Sequence, residues 1–246
     1  MNGKRSGSAN RWISRLTLVQ HATTPFISIF LAVHLVAPIS ALVGGSSAAS
    51  GLMLLGREYY QTPLGEPLLV WIPMGLHVCA SMLKRALIGF PTRLNALQAT
   101  SISLAWFFIP IHLSVHRFIP SSPMPPISEL RPSQLDYEYV KTGIHVWPLT
   151  SWFLYAGLVV SMAIHALDGG LLMYRSRFPT PEPPKGSKTL GGLAELGPKA
   201  VAVAIVLSVL GGVSVLSTEA SYATSALAAR IQASYLQSFF FRWTAR

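Results

Sequence analysis

Seven histidines are the residues of this chain with the most chemistry to offer. Five of them, His34, His77, His112, His116 and His165, lie inside or at the edge of long apolar segments. An imidazole in such surroundings is a functional candidate by default, because a membrane tolerates few ionisable side chains. It can ligate a metal through a neutral ring nitrogen, relay a proton, or bond across to a neighbouring helix. Depth helps to separate these chemistries. His34 follows Arg15 by nineteen residues and His112 follows Arg93 by nineteen. At 1.5 Å of helical rise per residue, both stand roughly 28 Å from the basic flank of their segments. By the same ruler His77, ahead of Lys84, stands about 10 Å from that flank, and His165, ahead of Arg175, about 15 Å.

In a four-helix bundle whose first and third, and second and fourth, helices sit diagonally, these depths give two cross-bundle pairs. They are His34 with His112 and His77 with His165. That layout suits up to two stacked, non-covalent b-type haems, each with two axial imidazoles on its iron in an apolar slot. Lys84 and Arg85, seven and eight residues beyond His77, are the cations placed for haem propionates. The same histidines serve equally well as hydrogen-bonding groups between helices. His116, one turn beyond His112, is the alternative ligand, and His21 and His145 sit at segment ends. Asp168, three residues after His165, either orients that imidazole, relays protons, or is a hydrogen-bonded acid near the membrane edge. No Cys-x-x-Cys-His occurs, and the single cysteine, Cys79, excludes a disulfide framework or a thiolate zinc cluster.

The elements that must position these groups are apolar and long. Hydrophobic residues make up 51% of the 246-residue chain and charged residues 11%, less than half the share usual in soluble domains. Too few ions remain to cover a water-facing surface, and the apolar and aromatic content excludes disorder. Five segments can cross a bilayer: 16–43, 67–83, 96–115, 146–173 and 200–216. The expected fold is an all-α, multi-pass transmembrane helical bundle with a four-helix core and inward-facing histidines. A short basic segment, 1–15, precedes the membrane domain, 16–217, and a tail, 218–246, follows it. The tail reads as an interfacial amphipathic helix with Phe239–Phe241 and Trp243 in the headgroup zone. Three stretches read as irregular: 44–65, 119–143 and 178–198. The formal charge of +10 would also suit nucleic-acid binding. The cations, however, fall in the gaps between apolar runs instead of forming a stripe. With five spans, twelve of the nineteen Lys and Arg lie on the side of the N-terminus. The positive-inside rule then places that terminus in the cytosol, or in the matrix for an inner-membrane protein.

The spans resemble the fungal mitochondrial adaptor protein MCP (Mdm-ten-complementing protein) transmembrane family. The resemblance rests on 18–41 (LVQHATTPFISIFLAVHLVAPISA), 68–87 (LLVWIPMGLHVCASMLKRAL), 106–122 (WFFIPIHLSVHRFIPSS) and 150–174 (TSWFLYAGLVVSMAIHALDGGLLMY). Its recognisable positions are Pro25, His34, Pro38, His77, Lys84, Arg85, His112, Pro120 and His165. That family looks like the membrane anchors of succinate dehydrogenase and fumarate reductase, where such histidines ligate b-type haem. The resemblance implies a multi-pass protein of the mitochondrial outer membrane acting in lipid homeostasis. It also implies an adaptor that recruits a bridge-like lipid-transfer protein of the VPS-thirteen type through a Pro-x-Pro motif. Family members carry that motif in a long N-terminal tail, whereas here about fifteen residues without proline precede the first span.

Two other Pro-x-Pro segments occur, at Pro123–Pro125 and at Pro179, Pro181 and Pro183. Only the second falls on the side of the N-terminus. Proline there either stiffens a linker or pre-orders a strand for a partner's groove. No Gly-x-Ser-x-Gly, Walker A, Gly-x-Gly-x-x-Gly or His-Glu-x-x-His pattern is present, so no motif supports an enzyme, and the adaptor role is what the resemblance implies. The alternatives are a b-type haem protein for electron transfer or quinone chemistry, and a lipid scramblase.

Overall fold

Three prolines account for the most unusual backbone in the chain. Pro73, Pro110 and Pro120 each lack an N–H and push away the carbonyl four residues back, at Leu69, Trp106 and His116. Each of those residues lies inside a widened, π-helical turn: Glu66–Trp71, Leu104–Phe108 and Ser114–Phe118. The helices therefore continue past Pro73 and Pro110 by widening, whereas the one bearing Pro120 closes there in a 3-10 turn, Ile119–Ser121.

The computed structural model describes residues 7–89, 91–178 and 188–244, with the side chains of 188–196 left aside. Helix α1 is Gly7–Tyr60, α2 Glu66–Ile88 and α3 Ala96–Ser121. Helix α4 is Tyr137–Val146 and α5 Pro148–Arg177. Helices α6, Lys188–Thr218, α7, Ser225–Gln237, and α8, Phe239–Thr244, complete the chain. Among the described residues there is no strand. Starts are set by local chemistry. Asn95 and Gln98 form a reciprocal capping box at α3 (2.9 and 3.2 Å), and Asp136 caps α4 by accepting from Glu138 N–H at 2.9 Å.

The fold is an all-α, multi-pass helical bundle. Five helices, α1, α2, α3, α5 and the Gly197–Thr218 part of α6, are long and apolar enough to cross a membrane. Large apolar side chains such as Leu68, Trp106, Leu172 and Leu207 stand more than half exposed on them. A surface of that kind needs lipid around it.

Helix α1 breaks at Gly44 (φ −131°) and Gly45 (φ 59°, ψ −154°), a conformation that only glycine adopts without steric cost. The first, N-terminal arm of α1 thus runs up to residue 43. Most of the stretch read as irregular, 46–60, is a second helical arm. That arm returns alongside the first, since a Cβ on Gly56 would stand 3.2 Å from Val33. The stretch 119–143 likewise holds the start of α4, and α6 begins inside 178–198.

The chain divides into two compact units, residues up to Val36 with Leu55–Leu94, and Ala37–Leu54 with everything from Asn95. The larger buried cluster of the second unit draws mostly on residues outside the spans, with Val115 of α3 and Leu154 of α5. Ile127, Tyr139, Trp147, Ile231, Tyr235 and Phe241 form its centre, joined by Val115 from α3. The tail contributes to this core: Ile231 and Tyr235 are fully buried and Phe241 nearly so, while Phe239 and Trp243 remain exposed.

Candidate functional site

In the first unit, His34 stacks on Phe30 (5.4 Å, 20°), and its Nδ1 lies 3.4 Å from the Tyr60 hydroxyl on the returning arm. His77 on α2 has its Nδ1 3.1 Å from the Thr23 hydroxyl of α1. A ladder of polar contacts continues from it toward the basic end. Ser81 donates to the His77 carbonyl (2.9 Å), Gln20 Nε2 to Ser81 (2.7 Å) and Lys84 Nζ to Gln20 Oε1 (3.2 Å). Arg85 leaves this ladder and donates to the Gly89 carbonyl at 3.2 Å, closing the C-terminus of α2.

In the second unit, His165 on α5 has its Nδ1 3.1 Å from the Ser101 hydroxyl of α3, the position for which the sequence offers Asp168. Three of the four histidines singled out by depth are thus held at the same ring nitrogen by a hydroxyl. His34 and His77 belong to the first unit, and His112 and His165 to the second.

His112 and His116 instead lie ring over ring, centroids 4.7 Å apart and tilted by 38°. His116 sits at the centre of the wide turn ahead of Pro120, a type of turn that recurs at functional sites. Its Nε2 lies 3.3 Å from the Tyr155 hydroxyl of α5. Tyr155 in turn interacts with the hydroxyl of Tyr235, which donates to the Tyr139 carbonyl at 3.0 Å. The Tyr139 hydroxyl donates to Val115 O (2.8 Å) and meets Ser234 Oγ (3.0 Å). Burial pushes the phenols of Tyr139 and Tyr235 well above their usual range, so both stay neutral hydrogen-bonding groups. A cavity of about 20 Å³ opens between His112, His116, Ser151 and Tyr155, room for about one water. The sequence marked His116 only as an alternative ligand and did not mark the tyrosines. Their partners lie 96 residues apart, and no local pattern announces such a pairing.

A second polar centre was also unmarked. Lys141 on α4 is fully buried, ion-paired to Glu138 and 3.5 Å from Glu219 Oε2. It donates to Ala220 O at 2.8 Å and faces the Tyr222 ring at 4.7 Å. Glu138 accepts from Ser221 Oγ and from the N–H groups of Tyr222 and Ala223 (2.9, 2.8 and 3.2 Å). Glu219 accepts from the Ser46 N–H at 2.9 Å, beside the break in α1. Burial pushes the Glu138 carboxyl up, but the Lys141, Tyr222 and Ser221 hydrogen bonds outweigh it and hold it below its ordinary value. The Ser46 hydrogen bond does the same for Glu219.

Among the described residues, no group of three or more His, Cys, Asp and Glu side chains could hold a metal ion. Pro179, Pro181 and Pro183 lie outside the described residues. No family model matches the chain, and no curated protein or solved structure matches it either. The resemblance to the adaptor family stands on its quoted positions alone.

Proposed function

We propose that this membrane protein is an adaptor and not an enzyme, acting in lipid homeostasis at the mitochondrial outer membrane with its N-terminus in the cytosol. In this reading the bundle displays its cytosolic segments to a bridge-like lipid-transfer protein of the VPS-thirteen type. One observation supports it: three histidines of the resemblance, His34, His77 and His165, contact hydroxyls of Tyr60, Thr23 and Ser101 within their own units. That is the behaviour of groups that hold a scaffold together. The segment with Pro179, Pro181 and Pro183 is the partner-binding candidate. Replacing the three by alanine is expected to abolish partner recruitment to mitochondria while membrane insertion, followed by alkali extraction, stays intact. Recruitment at the unaltered level removes this segment from the proposal.

A second reading, a b-type haem protein, draws on the same contacts. Ligating histidines generally have their other ring nitrogen held by a neighbouring group, which fixes the ring's orientation. Thr23 and Ser101 do this for His77 and His165, each within its own unit, and Lys84 is the cation of the ladder beside His77. Bound haem would supply one-electron chemistry, while the protein would contribute orientation and an apolar surround. The cavity beside His112 and His116 is far too small for the macrocycle. A Soret band in protein purified from haem-replete cells, lost in His77→Ala and His165→Ala, is the expected result of this reading. A colourless preparation ends it.

A further inference from the structure

The loop between α3 and α4 carries two residues in the left-handed region, Ser128 (φ 53°) and Glu129 (φ 51°). Side-chain-bearing residues seldom adopt it, and a pair in succession persists only where the surroundings hold it. Here the holder is Arg230 of α7. Its Nε donates to the carbonyl of the fully buried Ile127 at 2.8 Å, and its Nη2 to those of Ser128 and Glu129 at 3.1 and 3.3 Å. These contacts use three of the five guanidinium donors. They fix the cation without neutralising it, because every acceptor is a carbonyl.

Arg131 follows directly on this loop. Its guanidinium makes no hydrogen bond or ion pair with a described residue, although its backbone N–H donates to Gln134 Oε1 at 3.1 Å. That bond orients the Gln134 amide and leaves its NH₂ as a donor. Arg131, Arg230, Gln134, Ser128 and Glu129 line one open pocket of about 490 Å³. Glu129 contributes the one carboxylate, so two guanidinium charges, of which Arg230's is held in place, face a single negative one. Phe118 lies in the last turns of α3, the loop itself carries Met124, and α7 ends near Leu236, all three exposed.

We propose that Arg131, Arg230 and Gln134 form a phosphate-binding pocket that takes the headgroup of an anionic phospholipid. Guanidinium groups bind phosphate oxygens through paired N–H donors, and a pre-fixed fork loses little freedom in doing so. Phosphate oxygens at the membrane edge come from lipid or from free phosphate, and the loop's exposed apolar residues favour the lipid. The pocket's chemistry is the same whether or not the chain recruits a partner.

The test uses the full chain in detergent and follows thermal unfolding against added ligand, since binding to the folded state alone raises the midpoint. Short-chain phosphatidic acid, short-chain phosphatidylcholine and inorganic phosphate are the three probes. Phosphatidic acid is expected to raise the midpoint saturably, with at least tenfold weaker apparent binding in Arg131→Gln and partial recovery in Arg131→Lys. Arg131 makes no side-chain bond, so these variants keep the fold, whereas Arg230 variants would release the loop. Equal responses of the wild type and Arg131→Gln overturn the proposal, as does no response at all. A response to inorganic phosphate alone overturns the lipid assignment, and an equal response to phosphatidylcholine overturns the requirement for an anionic headgroup.

Discussion

Lys141 is the residue on which the second unit most depends. Its ammonium is fully buried among Glu138, Glu219, the Ala220 carbonyl and the Tyr222 ring. Removing one member of a buried ionic group leaves the others uncompensated and costs about 3–5 kcal/mol. Lys141→Met is expected near the lower end, about 3 kcal/mol, because Glu138 keeps its N–H donors and both carboxylates retain some water. Chemical unfolding in detergent checks it. Lys141→Met combined with Glu138→Gln should lose less than the two single changes together, since they share one interaction. At this scale the sequence revealed residues whose type clashed with their surroundings, such as His77 and His165 within apolar runs. The Lys141 site was half legible. Glu138 and Lys141 sit three apart on one helix, but Glu219 and Ala220 come from nearly eighty residues further on. Tyr139, Tyr155 and Tyr235 were invisible, because aromatics near a span end more often serve as anchors.

At the scale of elements, close approach is set by small residues. A Cβ added to Gly212 of α6 would collide with the Pro38 carbonyl of α1, backbone that cannot swing aside. Gly212→Ala is therefore expected to push these helices apart at a cost of about 1–3 kcal/mol. A lowered unfolding midpoint checks it, with Gly51→Ala, whose Cβ meets nothing, as the control. The presence of five apolar helices was legible from length and composition. The second arm of α1 was missed because Gly44, Gly45, Ser46 and Ser47 look like the opening of a loop. In fact they form only its corner. The wide turns were missed for another reason: proline signals a disturbed hydrogen bond but not whether the helix stops or widens.

For the whole molecule, composition decided the class, and five apolar helices follow from it. What it could not locate was the core. The packed centre of the second unit lies in α4, α7 and α8, segments whose mixed polarity resembles that of linkers and tails. Their apolar residues face inward only because distant helices arrive to cover them. The site around Lys141 has one more consequence, which concerns the order of synthesis. A ribosome delivers Ser46 and then Lys141 well before residues 219–223, which complete the ammonium's surroundings. In that interval the nascent chain carries a charged side chain with one carboxylate beside it and no cover. A chain cut short before residue 219 would therefore lack both the Glu219 carboxylate and the Ala220 carbonyl that complete the ammonium's surroundings.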